Sequence, residues 1–450
     1  MQRKSVRTRI VVALLMVNAL PAGARDDRIS GERGTLDAAA GIAAAVEDGR
    51  LRLLLQEVLE RNPKLARLAA EAAATAQRAP QVRALPDPMA SVTWFAMTPE
   101  TRVGPQRAAV SLTQRMPWFG TLEVDERAAL WDAAADRAGL EAARLDVLTA
   151  ARSDYHELQF LAAEERAVED DRATLSHYAE LALARYASGV GLNQPVVRIQ
   201  AEITRADARL LEIGMRRAAV LARLNALRDR PQTAPVPISE LAAPRSNGLE
   251  LETLRRAAHA ARPVMVAANA AIEAAALRVE SSANAARPDL VFGLNYVEVG
   301  RREDAAGRLV PPEDNGRDIL GLTGGISLPV WRSSLAAKVE EGVQRRLAAE
   351  ERLRETAAAI DADLGDLVHR IPLLEEQLGL YQDVLIVQAR QSLESAESAY
   401  AAGTADALDL LDAERVLLQV RIAEARARAD LAVAHARLEA AVAGPVEVRR

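Results

Sequence analysis

Between Trp118 and Gln194 the chain contains no proline, and apolar residues such as Leu130, Ala134, Leu140, Leu145, Leu148, Tyr155, Leu158 and Leu161 recur there at steps of three and four. That periodicity predicts one amphipathic helix. Up to the break at Tyr186 it runs for about 68 residues, roughly 100 Å at ~1.5 Å per residue. No compact domain cut from a 450-residue chain is that wide, so the fold is built around helices longer than a globule can hold. Alanine fills many of the helix-facing positions. The pattern is looser than strict leucine heptads, which predicts closely packed helices other than a fibrous coiled coil.

The chain reads as written twice. Arg61-Asn-Pro63 opens one helical run and Arg262-Pro263 another, and in each case a second proline follows 25 residues on, in Leu85-Pro-Asp-Pro88 and in Arg287-Pro-Asp289. A self-similarity of this kind is the first thing to settle about a fold. Each proline pair leads into an alternating segment, then into Ser111-Leu-Thr-Gln-Arg-Met-Pro-Trp118 or Ser327-Leu-Pro-Val-Trp331, a long Ala/Leu/Glu/Arg run, and a Tyr-Ala-x-Gly break at Tyr186 or Tyr400. The extra length of the second copy falls in the polar loop 300–317. Boundaries follow: a first repeat over 25–230 with a β-hairpin at about 88–117 and a helical tip near 186–195, a Pro-rich connector over 231–250, a second repeat over 251–444 with a hairpin at about 288–329 and a tip near 400–406, and a tail over 445–450. Pro372, inside the second long run, is expected to kink or interrupt it.

The alternating segments predict strands. Ala90, Val92, Trp94 and Ala96 fall on one face against Ser91 and Thr93; Val110, Leu112 and Met116 oppose Ser111, Thr113 and Arg115; Leu290, Phe292, Leu294 and Tyr296 oppose Gly293 and Asn295; and Leu320, Leu322, Ile326 and Leu328 oppose Gly321, Thr323, Gly325 and Ser327. At about 9 to 11 residues each strand has the length of a tilted membrane-spanning one. Half of the fourteen aromatics (Trp94, Phe95, Trp118, Phe119, Phe292, Tyr296, Trp331) sit in or beside these hairpins, as in an interfacial belt. A small soluble sheet with one buried face has the same alternation. If the hairpins do enter lipid, four strands cannot close a barrel and an open edge cannot stay unpaired there, so several chains must share one.

Composition narrows the function classes. The net charge of -6 and pI near 5.7 leave no basic excess for nucleic acid. Residues 1–24 read as a signal peptide: a basic start, an apolar stretch from Ile10 to Leu20 too short to span a bilayer, and Ala22-Gly-Ala24 as the cleavage site. The absence of cysteine excludes disulfides, thiolate metal sites and Cys nucleophiles. The five histidines (His156, His177, His259, His369, His435) are scattered, without a His-x-x-x-His pair, and read as helix-surface residues. With no phosphate loop or nucleophile elbow either, no catalytic residue, cofactor or metal site is expected.

Taken in order and in duplicate, these motifs resemble the TolC family of outer membrane efflux proteins over nearly all of the chain after residue 24: Asn62-Pro63, Leu85-Pro-Asp-Pro88, Gln114-Arg-Met-Pro-Trp-Phe-Gly120, Tyr186-Ala-Ser-Gly189, Arg287-Pro-Asp289, Ser327-Leu-Pro-Val-Trp331 and Tyr400-Ala-Ala-Gly-Thr-Ala-Asp-Ala-Leu-Asp-Leu-Leu-Asp412. The resemblance implies a mainly α chain with a small β part, forming a homotrimer. Its four strands per chain join a shared transmembrane β-barrel in outer membrane lipid, and a long α-helical barrel reaches into the periplasm. There it meets a periplasmic adaptor protein and an inner-membrane pump of the resistance-nodulation-division (RND) type. The alternative is a periplasmic adaptor, which carries one helical hairpin flanked by β-domains where this chain has two copies of strand hairpin plus long helices.

The resemblance also assigns residues. The breaks match the family's helix-hairpin tips, so Tyr186, Gly189, Gly191, Tyr400, Gly403 and Thr404 are expected to contact the adaptor. Asp409 and Asp412 align with two aspartates that ring the pore at its narrowest place, with Asp406 just before them; residues i and i+3 share a helix face, and carboxylate rings attract cations. Alternatively, these acids favour a helix N-terminus through its dipole, which suits Asp406 better than Asp412. Ala405 stands where the family carries a basic latch residue, and Pro195 where it carries an aspartate. Pro-Trp-x-Gly after the first hairpin also occurs in heavy-metal RND channels, which implies metal or drug export without a recognisable metal site in this chain.

Overall fold

The computed structural model describes residues 38–189, 192–242, 245–246, 250–446 and 448–449. The expected signal peptide and Gly191 lie outside them.

The first half of the chain sets down α1 (Ala38–Ala45), α2 (Gly49–Arg61), α3 (Pro63–Ala76), α4 (Arg78–Arg83), the strands β1 (Met89–Trp94), β2 (Glu100–Thr101) and β3 (Gly104–Met116), then the 67-residue α5 (Thr121–Ala187) and α6 (Asn193–Leu227). A two-residue strand β4 (Arg245–Ser246) follows. The second half repeats the order with α7 (Leu251–Ala261), α8 (Pro263–Asn284), β5 (Leu290–Val299), the short α9 (Ala305–Leu309), β6 (Ile319–Ile326), α10 (Arg332–Gly379), α11 (Ile386–Ala402) and α12 (Ala407–Val442); β7 (Val448–Arg449) pairs with β4. The chain is mostly helical with a small β part, as expected.

The first proline of each pair starts a helix. Asn62 caps α3, accepting from the Leu65 N–H at 3.2 Å, while its amide donates to the Leu227 carbonyl at 2.9 Å, tying the start of α3 to the end of α6. Pro63 and Pro263 occupy first-turn positions, where a missing N–H costs nothing. Among the described residues no single helix is long and apolar enough to cross a membrane; α7 and α8, bent by 50° at Arg262-Pro263, pass that test only as a pair.

Pro372 does not interrupt its helix. α10 continues through it to Gly379, and the irregularity is a π turn over Leu380–Leu385. Trp331 and Tyr400 are 69 positions apart, against 68 for Trp118 and Tyr186. A π turn holds one residue more than an α turn, so it absorbs that insertion without rotating the helix beyond it.

The strands form one antiparallel sheet in the order β1-β3-β5-β6, so β3 and β5 join the two hairpins and β1 and β6 are its edges. The register Ala90↔Leu112↔Leu294↔Leu322 and Val92↔Val110↔Tyr296↔Leu320 gathers the apolar residues on one face. The opposite face carries Ser91, Ser111, Gly293, Asn295, Gly321 and Thr323, with the Ser91 and Ser111 hydroxyls 2.7 Å apart. The central strands have 13 and 10 residues, whereas the edge strands, paired on one side only, have 6 and 8. Ala96 lies beyond β1. At the far end Gly104, at φ +128°, lets the Gly300 carbonyl pass where a Cβ would stand 1.8 Å from it.

The proline punctuation is the joint between sheet and helices. Asp289 accepts from the Trp118 N–H at 3.2 Å and from Arg115 Nε at 2.9 Å, and its own N–H donates to the Ser327 hydroxyl at 2.7 Å, so one carboxylate gathers both hairpins. Below it, α5 packs along α3, α4, α6, α8 and α12, and alanines (Ala128, Ala129, Ala133, Ala134, Ala138) line its buried face. The segment after α6 lies extended against α2 and α5: Asp48, the N-cap of α2, accepts from Tyr155 Oη at 2.9 Å and from the Ser239 hydroxyl. His435 corrects the surface reading of the histidines, being only 3% exposed and packed 3.9 Å from Glu375, with burial holding its pKa down.

Candidate functional site

The hairpin tips are made by glycine. At the end of α5, Gly189 adopts φ +75° and its N–H returns to the Tyr186 carbonyl at 3.0 Å, while the Ser188 hydroxyl donates to the Arg185 carbonyl at 2.9 Å. At the end of α11, Gly403 also stands at φ +75°. There the N–H of Gly403 bonds Tyr400 O at 3.1 Å and that of Thr404 bonds Ala399 O at 3.0 Å, the double bond pattern that closes a helix with a left-handed residue. Nothing lies within 4 Å of a Cβ built on either glycine, so backbone conformation and not space demands them. Pro195 sits in the first turn of α6, where it removes no helical hydrogen bond.

Asp406 begins α12 as its N-cap, accepting from the Ala407 N–H at 2.6 Å, and Asp409 reaches back to the Asp406 N–H at 3.3 Å. These two acids therefore form a capping box and hold the helix start as well as presenting charge. Asp412 has no part in the cap. Its side chain is 76% exposed, three residues along the same face from Asp409, and 3.5 Å from Arg415. Arg415 turns chiefly to Glu202 of α6, at 2.7 Å.

The two tips are tied together by a residue that the motifs do not mark. Arg185 of α5 lays its guanidinium 4.5 Å from the centre of the Tyr400 ring and donates to the Tyr400 and Ala401 carbonyls at 2.8 and 3.0 Å. It thereby caps the C-terminus of α11 with a cation, where the helix dipole favours one. Tyr400 is 8% exposed beneath it, so its side chain packs inside the chain and does not face outward, whereas Tyr186 is 48% exposed. The sequence signal for this tie is the arginine next to Tyr186, an ordinary surface residue until the fold brings α11 alongside.

At the other end, the apolar sheet face is bare: Val92 is 72% and Leu322 88% exposed, with Trp94, Leu320, Phe292 and Trp331 also uncovered. Among the described residues, no three His, Asp or Glu side chains are grouped to hold a metal.

A long helical hairpin closed by glycine tips, the second of them bearing acids, is joined to a sheet with unpaired edges and one bare apolar face. The family model described as outer membrane efflux protein matches residues 254–444, the second half of the chain. The fold is similar to that of the outer membrane protein VceC from Vibrio cholerae (22% identity, 89% of this chain and 98% of that one, TM-score 0.73). It is likewise similar to the open state of the Neisseria gonorrhoeae MtrE outer membrane channel (18% identity, 88% and 89%, TM-score 0.70) and to CusC (16% identity, 88% and 93%, TM-score 0.74). No curated protein sequence matches the chain.

Proposed function

We propose that three copies of this chain form the exit duct of a tripartite efflux pump, conducting substrate without chemistry across the outer membrane. The observation that carries this reading is the sheet. Its edges β1 and β6 are unpaired and its apolar face is exposed, so one chain alone cannot settle in lipid, where each unpaired backbone group costs several kcal/mol. Pairing β6 of one copy with β1 of the next removes every edge and turns the apolar face to lipid. Three copies supply about twelve strands, within the range of closed membrane barrels. The helices then continue the duct into the periplasm, and their tips meet an adaptor protein and, through it, an inner-membrane pump of the RND type.

In this reading Tyr186, Gly189, Thr404 and Gly403 form the surface offered to the adaptor, and Tyr400 works from within by receiving Arg185. Asp409 and Asp412 make two stacked acidic rings at the constriction, with Asp406 fixing the start of the helix that carries them. The Arg185–Tyr400 tie supplies the latch that Ala405 does not.

Planar-bilayer recording of the protein extracted from the outer membrane tests this. Cation-selective channels are expected, and Asp409→Ala with Asp412→Ala should move the reversal potential in a salt gradient towards zero. A protein that makes no channel would overturn the duct, and unchanged selectivity would remove the two aspartates from its constriction.

A further inference from the structure

Above the tips, α5, α6, α11 and α12 close over two carboxyl groups that the duct reading does not use. Asp171 of α5 is 7% exposed and Glu414 of α12 is 4% exposed, and their side chains hydrogen-bond each other across the seam between the two halves of the chain. Glu414 Oε2 is buried without a hydrogen-bond partner. The apolar core between these helices includes Leu175, Ala179, Leu410, Leu411 and Leu417.

The charged and titratable groups that face the pair come from every neighbouring helix: Tyr178 on α5, Glu202 and Arg209 on α6, Glu397 on α11 and Arg421 on α12. Tyr178 donates its hydroxyl to Glu397, a second link from α5 to the other half. Arg209 is committed to Glu164 at 3.0 Å and Glu202 to Arg415 at 2.7 Å. Among the described residues no cation makes a salt bridge with either carboxyl of the pair.

Two carboxylates in contact in such a place repel each other when both are charged, so each holds its proton to higher pH than a free carboxyl does. Burial first, and then the charge of Asp171, push Glu414 up to about 7, while burial chiefly pushes Asp171 up to about 6. Both folded values lie above those of free carboxyls. The native packing therefore binds more protons than a loosened one, and what the pair contributes is present in full in acid and lost as pH rises through about 6 to 7.

We propose that Asp171 and Glu414 form a proton-dependent clasp between α5 and α12, which draws the tip region closed in acid and loosens it towards neutral pH. Its effect on conduction rests on the reading of the tips as the duct's gate; the clasp itself does not.

Channel conductance is recorded in planar bilayers from pH 5.5 to 8 for the unmodified chain, Glu414→Gln, Asp171→Asn, and the Asp409→Ala with Asp412→Ala pair. The unmodified chain should conduct about twofold more, or better, above the transition than below it. Glu414→Gln keeps a hydrogen-bonding amide without charge and should stay at the acid level throughout, whereas the Asp409/Asp412 variant should keep the rise. A flat profile in the unmodified chain, or the same rise in Glu414→Gln, overturns the clasp. If no variant conducts, the duct reading fails and amide exchange over 407–421, corrected for its intrinsic pH dependence, decides the clasp: it must accelerate between pH 5.5 and 7.5 in the unmodified chain and not in Glu414→Gln. Equal acceleration in both overturns it. Asp171→Asn gives the same readings should Glu414→Gln fail to fold.

Discussion

At the residue scale, the tips depend on contacts worth a few kcal/mol at most. Arg185 supplies one cation–π contact and two hydrogen bonds to the end of α11. Arg185→Ala should weaken the tip by about 1–2 kcal/mol, visible as roughly tenfold faster amide exchange at Gly403 and Thr404. Arg185→Lys, which keeps charge and loses the planar fork, should fall between; exchange at the unmodified rate would deny Arg185 its role. Asp48 offers a pH test elsewhere. Burial alone would raise its pKa, but the hydrogen bonds from Ser239, Tyr155 and the Leu51 and Arg50 N–H groups outweigh burial and hold it below the ordinary value. Its stabilisation is therefore present above the free carboxyl range and lost as pH falls through the lowered folded value. Asp48→Ala should cost about 2 kcal/mol in denaturant melts at neutral pH, and less in acid. A cost that does not change with pH would contradict this.

At the element scale, the two halves meet along α5 and α12, where the Arg152–Glu439 ion pair is nearly buried. Glu439→Gln leaves an arginine buried without its counter-charge and should destabilise the extracted protein by about 3–5 kcal/mol, while Arg152→Met with Glu439→Leu should recover most of that loss. The π turn makes a separate prediction. Deleting Val384 should leave a regular α turn and a folded protein, whereas deleting Asp170 from α5 rotates everything beyond it by about 100° and should abolish folding, as read by heat-resistant assembly. Most of these elements were legible beforehand because proline and periodicity are local signals. The 67-residue α5 and the alternating strands follow from residues a few positions apart. The π turn was not legible, because Pro372 is the stronger local signal and only the count between Trp331 and Tyr400 betrays the insertion. Arg185 on Tyr400 and Asp171 against Glu414 were hidden for a different reason: each contact joins residues more than two hundred positions apart, on faces that look like ordinary helix surface or core until the halves pack.

At the scale of the whole molecule, the sheet ends in two strands paired on one side only, β1 and β6, and in the proposed duct the helices are one section of a wall. In that duct the tips and the acidic face acquire a function only when β6 of one copy meets β1 of another. That closure fixes the mass of the particle extracted in detergent from the outer membrane fraction. Light scattering corrected for detergent should give three times the 48.4 kDa chain, less any leader removed on export. A single chain recovered from the soluble periplasm would contradict the account.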